Sequence, residues 1–569
     1  MLVLTDEQQK IIEKCRELKS GESLKIDACA GSGKTATLIE IARAIPQAHF
    51  LYLAFNKAIV ENAKPRFPPN VTIRTTHSLA YSQIISGSRE KYTVKAGLNI
   101  FDLEPIFKIR RDLYKDLSLA IRKFYSWCQS DVRIFPDSNT EKIFQAMESH
   151  LIPATHDWYL KKYQLLDYHY ELDAFDFILL DEAQDTNLVT LDIFNRNHCR
   201  KILVGDTHQG IYGFRGAYNA LERFKSNYKL HLSYTFRSIQ PICEKANWFL
   251  SSFAHDSKEL VPMKSAYSAE LSPTPRNAVL TRTNATLIDY IQKLNREQIP
   301  RSSLLRDPYL IFGAALNIQN YLEGKPLDKA YQFLDRFDSL ENIKNYAHDS
   351  NDLELETAIK MAETYNGHLF DLYELAKSIY LNNNERANIF LTTAHSAKGL
   401  EWDQVVLASD FCPLFSLKKD LKEKGLKKQE IEFEFTQELN LYYVAMTRAK
   451  NTLIDRTPND AFYEKALKKA SKKEEKKKQK EESLEKTEIK DSNSQDALLR
   501  KALSEVNDST AENKDAVNAS EVMNSDSHES SDSRKKRVSG GTLGKTRTKR
   551  KKKTQNFLRK SSSFSLKYS

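Results

Sequence analysis

The chain has 569 residues, of which 40% are hydrophobic and 28% charged, and it carries ten more positive than negative charges. This length provides for two to four domains. No apolar run approaches the roughly 20 residues needed to cross a bilayer, so we expect no membrane partner. The six cysteines lie far apart without a Cys-x-x-Cys pair, which argues against a zinc site and a disulfide framework and fits a reducing compartment.

The first strong pattern is a small-residue loop between a strand and a helix. An apolar run at Leu24–Ile26 precedes the loop, and apolar residues at helical spacing follow from Ala36. The loop itself reads Ala28-Cys29-Ala30-Gly31-Ser32-Gly33-Lys34-Thr35. In such loops backbone amides surround phosphate oxygens, the lysine neutralises the outer phosphates and the hydroxyl binds Mg²⁺. We therefore predict a nucleoside triphosphate site. Ala28 stands where glycine is usual, and a plain helix-capping loop is the alternative.

A second, acidic pattern follows an apolar run. Phe177–Leu180 are four consecutive apolar residues, which is typical of a strand covered on both faces of a parallel sheet. Asp181 and Glu182 come directly after this run, at the sheet edge where open α/β folds bind ligands. Asp181 is a candidate for holding Mg²⁺ through water, and Glu182 for orienting or deprotonating the attacking water. An acidic helix start is the alternative interpretation.

Strand-like runs alternate with helical patterns through most of the chain, which predicts an α/β fold with parallel sheets. The further strand-like runs are 50–55, 71–74, 201–204, 278–281, 389–392, 405–407 and 452–454. Two mostly helical intervals, 85–167 and 291–385, interrupt the alternation, and we interpret each as an insertion into one of two sheet domains. The first sheet domain is then predicted to cover 1–84 and 168–245, and the second 246–290 and 386–464.

The positive charge is concentrated at the C-terminal end. Residues 465–569 contain 28 Lys and Arg against 16 Asp and Glu, so the rest of the chain is close to neutral. Low apolar content and a Ser/Lys/Glu bias predict a disordered tail. Its basic clusters, Arg534–Arg537 and Lys549–Lys553, indicate a nucleic-acid-binding arm or a nuclear-import signal, with a solubilising tail as the alternative. Localisation is accordingly expected to be cytoplasmic, at the nucleoid of a bacterium, or nuclear.

Further short motifs complete a fixed order from about residue 4 to residue 456. They are Leu4–Gln8, Phe55–Lys57, Thr75–Ser78, Gly205–Ala217, Phe236–Ser238, Arg282–Asn284, Thr393–Trp402 and Tyr443–Lys450. This series resembles the full motif set of the UvrD-like superfamily 1 DNA helicases. Leu51–Lys57, Thr76–Tyr81 and Thr155–Lys161 make the chain most similar to the F-box DNA helicase branch. Because the motif series begins at Leu4, we expect no F-box and no ubiquitin-ligase role.

The resemblance implies two RecA-like domains with ATP and Mg²⁺ in the cleft between them. The loop Ala28–Thr35 would bind the nucleotide, and Thr35 and Asp181 would bind the metal. Gln8 would contact the edge of the adenine, and Phe236 would stack on the base. The family more often has tyrosine at the position of Phe236, so the stacking ring is kept and a hydroxyl is lost.

The resemblance also implies which residues are catalytic. Besides Lys34, Asp181 and Glu182, Gln209 would sense the γ-phosphate. Arg237 and Arg448 would reach across the cleft to stabilise charge in the transition state, and Glu401 would contact the nucleotide from the second domain. ATP binding would then close the cleft, and hydrolysis would reopen it.

A single DNA strand would lie on the face opposite the nucleotide. The candidate DNA-binding residues are Phe55, Asn56, His77, Tyr212, Phe214, Arg215 and His395. Aromatic side chains suit sequence-independent binding because every base has a face for stacking. Phe55 closes an apolar run, so a place in the core is the alternative for this residue. Tyr212 and Phe214 lie among glycines, which favours an exposed loop.

These patterns together predict an ATP-hydrolysing DNA helicase or translocase that acts on single-stranded and tailed duplex DNA in repair, recombination or replication. The 3′-to-5′ direction is implied by the resemblance alone. Two alternatives stay open. One is an RNA-directed motor of the same superfamily, and the other is a translocase that strips proteins from DNA without unwinding it.

Overall fold

The computed structural model describes residues 4–511 except 55–56, 214–215, 217–218, 270–272 and 383–385. A first compact unit ends at Ala461, and a second begins at Phe462. Within the described residues, no helix is both long enough and apolar enough to cross a membrane. The predicted DNA contacts Phe55, Asn56, Phe214 and Arg215 lie outside the described residues, as do both basic clusters of the tail.

The N-terminal half of the chain is built around one sheet with an insertion. Its first elements are α1 (Asp6–Glu17), β1 (Ser23–Ala28), α2 (Lys34–Ala44), β2 (Phe50–Ala54), α3 (Lys57–Ala63), β3 (Val71–Thr75) and α4 (Thr76–Ala80). The insertion contains β4 (Val94–Lys95), α5 (Tyr114–Cys128), α6 (Ser138–Glu148), β5 (Ala154–Thr155) and α7 (His156–Gln164). The sheet resumes with β6 (Phe177–Leu180), α8 (Leu188–Asn195), β7 (Arg200–Gly205), α9 (Ala220–Arg223) and β8 (Tyr228–Leu232).

This first sheet is parallel throughout, in the order β3-β2-β6-β7-β1-β8. Its register aligns Ile26 of β1 with Val204 of β7, and Leu203 of β7 with Leu180 of β6. The strands β1, β6 and β7 therefore end at the same edge. The loops that leave these three strands are brought together, although they are far apart in the sequence.

The apolar run of β6 is explained by burial on both faces of this sheet. Phe177 and Leu179 belong to the core that includes residues of α1 and α2. Ile178 and Leu180 belong to a second core, which continues into the helical insertion. Since successive strand residues point to opposite faces, a strand between two cores has apolar residues at every position.

The C-terminal half contains a second parallel sheet, in the order β12-β13-β11-β14-β15. Its strands are β11 (Asn277–Thr281), β12 (Ser302–Leu304), β13 (Ile389–Thr393), β14 (Trp402–Leu407) and β15 (Ala449–Asp455). In the sequence, β9 (Tyr234–Thr235), α10 (Gln240–Phe253) and β10 (Lys264–Ser265) come after the last strand of the first sheet and before the first strand of the second. The other helices are α11 (Asn284–Gln292), α12 (Tyr309–Leu322), α13 (Leu340–Ser350), α14 (Leu353–Thr364), α15 (Leu369–Ser378), α16 (Leu414–Glu423) and α17 (Lys428–Met446). Two parallel sheets with flanking helices confirm the predicted α/β fold of two RecA-like domains.

Two strands of these sheets were not predicted. β12 lies inside the interval interpreted as a mostly helical insertion, and its residues are fully buried beside Ile389–Leu391 of β13. A three-residue strand with two serines has no apolar run to signal it. The edge strand β8 alternates charged and apolar residues over only five positions. The predicted domain boundaries stay predictions.

The two insertions meet through an aromatic cluster. Phe101 and Tyr114 of the first insertion pack against Phe333, Phe337 and Tyr346 of the second. The ring centroid of Tyr346 lies 5.7 Å from that of Phe101 and 5.4 Å from that of Tyr114. This cluster joins the sheet domains through their insertions, in addition to the contacts at the cleft.

The charged segment after the second sheet differs from the prediction of disorder from residue 465. A single helix, α18 (Pro458–Ala511), covers its first part. This segment contains no Gly or Pro after the proline that begins the helix, and it is rich in Lys, Glu, Ala and Leu. These residues have high helix propensity, and Pro is favoured at a helix start. The high charge and low hydropathy of this segment indicate exposure to solvent. They do not exclude a helix, which is why the prediction of disorder differs from the structure here.

The aromatic cluster yields a test of stability. Tyr346 is 3% exposed, so Tyr346→Ala would leave a cavity between the insertions, and we expect it to lower the free energy of unfolding by about 3–5 kcal/mol. Phe370 is 59% exposed in the same insertion, and Phe370→Ala is the control with an expected effect within about 0.5 kcal/mol. Urea denaturation measures both variants. Equal stability of the two would contradict a joint core between the insertions.

Candidate nucleotide-binding site

Three adjacent strands of the first sheet carry the predicted nucleotide residues to one edge. The phosphate loop follows β1, Asp181 and Glu182 follow β6, and Asp206 follows β7. Because these strands are parallel neighbours, the side chains beyond their carboxyl ends converge. Thr35 Oγ1 and Asp181 Oδ2 lie 3.1 Å apart although 146 residues separate them.

The phosphate loop has a backbone that only small residues permit. Gly31 and Gly33 have positive φ angles of 72° and 77°, and a Cβ at Gly31 would lie 2.6 Å from Arg237 Cβ. Gly33 is the N-cap of α2, so the free amides of the helix start are available to an anion. The Ser32 hydroxyl is buried and has no hydrogen-bond partner within the described residues. A buried hydroxyl without a partner at a helix start fits a phosphate group.

The first residues of the loop are already engaged with the protein. Ala28 ends β1 and is paired with Leu232 of β8. The Cys29 N–H donates to the Leu232 carbonyl at 2.9 Å, and the Ala30 N–H donates to the Tyr443 hydroxyl at 3.2 Å. Burial raises the pKa of the Cys29 thiol, so this side chain stays protonated. Ala28, Cys29 and Ala30 therefore shape the loop, and the amides of Cys29 and Ala30 are occupied.

Lys34 lies buried among carboxylates. Burial disfavours its charge, but Glu182, Asp206 and Asp181 outweigh this effect and raise the pKa of Lys34. Burial likewise opposes the charge of Glu182, yet Lys34 and the cations of the second domain hold the pKa of Glu182 at about 2. The pKa of Asp181 changes in the opposite direction, because burial and the neighbouring Glu182 raise it. Glu182 is thus ionised at physiological pH.

Thr35 and Asp181, the predicted metal ligands, place two oxygen atoms side by side. Asp181 Oδ2 also accepts a hydrogen bond of 2.7 Å from the Tyr52 hydroxyl, and its Oδ1 accepts one of 2.8 Å from the Glu182 N–H. These bonds fix the carboxylate toward Thr35. Mg²⁺ prefers oxygen ligands and usually keeps several waters, so a hydroxyl and one carboxylate suit it. Within the described residues, no group of three or more His, Cys, Asp and Glu side chains could hold a metal.

Gln209 is directed to Asp206. Gln209 Nε2 donates to Asp206 Oδ2 at 2.8 Å, and both side chains are buried. Burial raises the pKa of Asp206, although Lys34 opposes the shift. The Asp206 N–H donates to Gln184 Oε1 at 3.0 Å, and Gln184 Nε2 donates to Glu182. The predicted γ-phosphate sensor is therefore linked to Glu182 through two intervening residues.

Arg237 and Glu401, two of the predicted nucleotide contacts, bind each other. Arg237 Nε donates to Glu401 Oε2 at 2.7 Å, and Arg237 Nη1 donates to the Thr447 carbonyl at 3.3 Å. Lys450 Nζ lies 3.0 Å from the other oxygen of Glu401. Burial opposes the charge of Glu401, but Arg237 and Lys450 lower its pKa. Glu401 therefore holds Arg237 beside the phosphate loop.

Arg448 is a buried cation that has no ion pair within the part of the chain that the structure describes. Its guanidinium donates to the carbonyls of Val444 at 2.9 Å and Leu400 at 3.3 Å, and to Thr447 Oγ1 at 3.2 Å. Burial, and then repulsion from Arg237, lower the pKa of Arg448 to about 9. A buried charge without a direct ion pair is costly, and phosphoryl oxygens are preferred partners of guanidinium groups. Arg448 is therefore suited to a bound polyphosphate.

The predicted base contacts flank the same loop. Gln8 Oε1 accepts from the Thr5 N–H at 3.0 Å, in the capping box of α1, and Gln8 Nε2 donates to Thr37 Oγ1 at 3.0 Å. Both ends of the amide are thus already partnered. Phe236 is 44% exposed, and its N–H donates to the Gly31 carbonyl at 2.9 Å. The ring is exposed while its backbone is fixed to the phosphate loop, which suits stacking on a base.

Four residues of this site were not predicted from the sequence: Tyr52, Asp185, Lys398 and Tyr443. Tyr52 lies in an apolar run, and nothing local indicates that its hydroxyl reaches Asp181 on the neighbouring strand. Lys398 pairs with Asp185 and donates to the Gln209 carbonyl at 2.6 Å. Tyr443 donates to Asp206 at 3.1 Å. Lys398 and Tyr443 belong to motifs quoted above, which is a signal of importance, but their partners Asp185 and Asp206 lie more than 200 residues away. Asp185 lies three residues after Glu182, beyond the quoted acidic pattern.

Three predicted DNA contacts fall within the described residues. His77 and Tyr212 line a cavity of about 200 Å³ that Asp181 and Asp185 also line. The Tyr212 hydroxyl donates to the His395 carbonyl at 3.3 Å. Burial, with a smaller effect of a neighbouring histidine, lowers the pKa of His77 to about 4, so its ring is neutral. This cavity lies next to the acidic edge of the nucleotide site.

Asp185 provides a test by pH. Burial raises the pKa of Asp185 to about 6, although Lys398 opposes the shift. The folded protein then holds this proton more tightly than the unfolded chain, so the group adds to the free energy of unfolding as the pH falls from about 6 to about 4. A shift of about two pKa units corresponds to about 3 kcal/mol. We expect the wild type to gain this stability relative to Asp185→Asn, which cannot bind the proton.

Urea denaturation at several pH values measures the difference between the two proteins. Asp167 is a solvent-exposed aspartate, and Asp167→Asn is the control, with the same pH dependence as the wild type. A stability difference between wild type and Asp185→Asn that does not vary with pH would show that Asp185 keeps an ordinary pKa.

Comparisons with known proteins agree with this geometry. Residues 149–229 match the UvrD/REP helicase N-terminal domain, and residues 316–455 match the UvrD-like helicase C-terminal domain. The chain is 29% identical to F-box DNA helicase protein 1 of Schizosaccharomyces pombe, over 79% of this chain and 57% of that protein. It is 27% identical to F-box DNA helicase 1 of Gallus gallus, over 79% of this chain and 49% of that protein.

A more distant similarity is to DNA helicase II of Escherichia coli, at 24% identity over 43% of this chain and 40% of that protein. The chain spans about half the length of the F-box helicases that it matches. Two helicase domain models in the expected order, and F-box helicases aligned over most of the chain, confirm the resemblance on which the motif assignment rests. The chain thus matches UvrD-like helicase domains over parts of its length and is similar to F-box DNA helicases over most of it.

Proposed function

We propose that this protein hydrolyses ATP to move along single-stranded DNA and to unwind tailed duplexes. One observation carries the proposal: the charged groups of the cleft come from both sheet domains. Lys34, Asp181 and Glu182 lie after strands of the first sheet. The buried Arg448 lies directly before β15 of the second sheet. A reaction that needs all four groups requires the two domains to be together, which couples chemistry to domain movement.

The phosphate loop would hold the triphosphate. The amides at the start of α2 and the unpartnered Ser32 hydroxyl would bind phosphate oxygens, and Lys34 would neutralise the outer phosphates. Phe236 would stack on the base. Gln8 would contact the edge of the base after its amide gives up one of its present partners, Thr5 or Thr37. Arg237 and Glu401 would flank the nucleotide as an ion pair.

Glu182 would orient the attacking water. The water oxygen forms a bond to the γ-phosphorus while the bond from that phosphorus to the β–γ bridging oxygen breaks. A carboxylate with a pKa of about 2 accepts a hydrogen bond from the water but is a poor final holder of its proton, so orientation is its main role. The proton released from the water would pass to an oxygen of the departing inorganic phosphate. Arg448 and Arg237 would neutralise charge that spreads over the phosphoryl oxygens.

Thr35 and Asp181 would hold Mg²⁺, with Tyr52 fixing the carboxylate. When bound, the ion supplies positive charge between the phosphate groups. The two oxygens already lie in contact, which supports this assignment from the residues themselves.

The loop after β7 would carry the state of the nucleotide to the DNA side. Gln209 is the residue of this loop that would contact the nucleotide. The next residue, Gly210, accepts a hydrogen bond of 2.9 Å at its carbonyl from Asn440 Nδ2 of α17. The Gly213 N–H donates to Gln437 Oε1 at 3.0 Å. The same loop contains Tyr212, whose hydroxyl reaches the second domain at His395. A shift of Gln209 therefore acts on a loop that both domains hold.

The single strand would bind along this loop. Tyr212, His77 and His395 are the candidates among the described residues, and Phe55, Asn56, Phe214 and Arg215 are proposed from the sequence alone. The 3′-to-5′ direction is proposed from the resemblance to UvrD-like helicases alone. The basic tail would add phosphate contacts, which depend on salt through counterion release.

The first test is Lys34→Ala. Loss of the phosphate-loop charge is expected to lower DNA-stimulated ATP turnover on the order of a hundredfold or more, while binding of single-stranded DNA persists. Lys10 is exposed on α1, and Lys10→Ala is the control with wild-type turnover. Phosphate release and fluorescence anisotropy with a labelled oligonucleotide measure the two properties. Undiminished turnover in Lys34→Ala would refute the assignment of the nucleotide site.

The second test uses duplexes with a 3′ or a 5′ single-stranded tail. We expect strand separation of the 3′-tailed duplex with ATP, little separation of the 5′-tailed duplex, and none with Lys34→Ala. A tail of RNA in place of DNA should stimulate ATP turnover far less. Turnover without strand separation would instead favour a translocase that displaces proteins, and stronger stimulation by RNA would favour an RNA motor.

A further inference from the structure

Tyr443 in α17 connects two parts of the first sheet domain through one hydroxyl. The Ala30 N–H of the phosphate loop donates to this hydroxyl at 3.2 Å, and the hydroxyl donates to Asp206 Oδ2 at 3.1 Å. Tyr443 and Asp206 are 2% and 3% exposed, so water does not compete for these bonds. A side chain of the second domain thus links the phosphate loop to the loop after β7.

The oxygen that Tyr443 contacts has a second donor. Gln209 Nε2 donates to the same Asp206 Oδ2 at 2.8 Å, and Asp206 Oδ1 accepts from the His208 N–H at 3.0 Å. A buried carboxylate oxygen without any donor is costly, because no water replaces the lost bond. Gln209 can therefore leave Asp206 at low cost only if another donor to this oxygen stays.

We propose that Tyr443 is a positioning residue whose hydroxyl keeps Asp206 partnered while Gln209 moves to the γ-phosphate of ATP. The inference rests on the proposed function, in which Gln209 senses that group. ADP has no γ-phosphate, so ADP binding requires no exchange at Asp206. Tyr443 thereby sets how strongly the protein distinguishes ATP from ADP.

A purely structural role for Tyr443 predicts a different result. If its hydroxyl only stabilised the contact between the domains, its loss would weaken ATP and ADP binding together. Tyr442 supplies a matched control. It is the preceding residue of α17, it is equally buried, and its hydroxyl donates to Asp455 within the second domain.

The test compares the full chain with Tyr443→Phe and Tyr442→Phe by titration with a fluorescent non-hydrolysable ATP analogue and with fluorescent ADP. In Tyr443→Phe we expect the affinity for the analogue to fall about tenfold, as for loss of one hydrogen bond to a charged group, and the affinity for ADP to stay within about twofold. In Tyr442→Phe the ratio of the two affinities should equal that of the wild type. An equal loss for both nucleotides in Tyr443→Phe, or no loss, would overturn the inference.

A double-mutant cycle tests the dependence on Asp206. Asp206→Asn removes the charge whose oxygen needs a donor, so adding Tyr443→Phe in that background should lower the analogue affinity by less than about threefold. Additive effects would overturn the positioning role. A wild-type chain that binds neither nucleotide would overturn the proposed function as well, whereas a wild type and a Tyr443→Phe variant that discriminate equally would overturn this inference alone.

Discussion

Four carboxylates meet at the carboxyl edge of the first sheet, and their charge has to be balanced nearby. Asp181, Asp185 and Asp206 are each at most 3% exposed, and Glu182 lies beside Asp181. The first domain offers Lys34, while Lys398 and Arg448 come from the second. Burying like charges together is costly unless opposite charges are close. The contact between the two sheet domains is therefore a requirement of charge balance as much as of packing.

The same balance explains why two of the groups expected to meet phosphate are bound to carboxylates of the protein. Gln209 donates to Asp206, and Arg237 donates to Glu401. Arrival of a triphosphate would replace one anionic partner by another. Such an exchange changes the number of charge-assisted bonds little, so its free energy is smaller than that of either bond alone. A cycle that binds and releases nucleotide needs this kind of near-equivalence between states.

Local patterns predicted the elements of the fold and the first contacts of the site. The apolar run of β6, the glycines of the phosphate loop and the acidic pair Asp181–Glu182 are each features of a few neighbouring residues. Tyr443 and Lys398 could be recognised only as members of motifs. Their partners Ala30 and Asp185 lie 413 and 213 residues away, and only the packing of the second domain against the first brings them together.

Two departures from the prediction have the same origin. β12 is a strand because Ser302–Leu304 fit the free edge of β13, although their own sequence is polar. The segment from 465 was predicted as disordered from charge, and its described part is helical because the intrinsic propensity of Lys, Glu and Ala favours that backbone without a core. The polar composition of a segment indicates whether it is exposed to solvent. It does not determine whether the backbone forms a helix, a strand or neither.

The two connections between the sheet domains differ in what it costs to change them. One connection is the aromatic cluster of Phe101, Tyr114, Phe333, Phe337 and Tyr346. Separating its rings would expose them to water, at a cost of about 2–3 kcal/mol in free energy for each ring. Exchange of polar partners at the cleft exposes little apolar surface, since each leaving group is replaced. The movement of lowest cost therefore changes the cleft and keeps the insertions in contact. In the proposed cycle, an exchange of partners at Asp206, Gln209 and Tyr443 would change the cleft while the aromatic cluster stays packed.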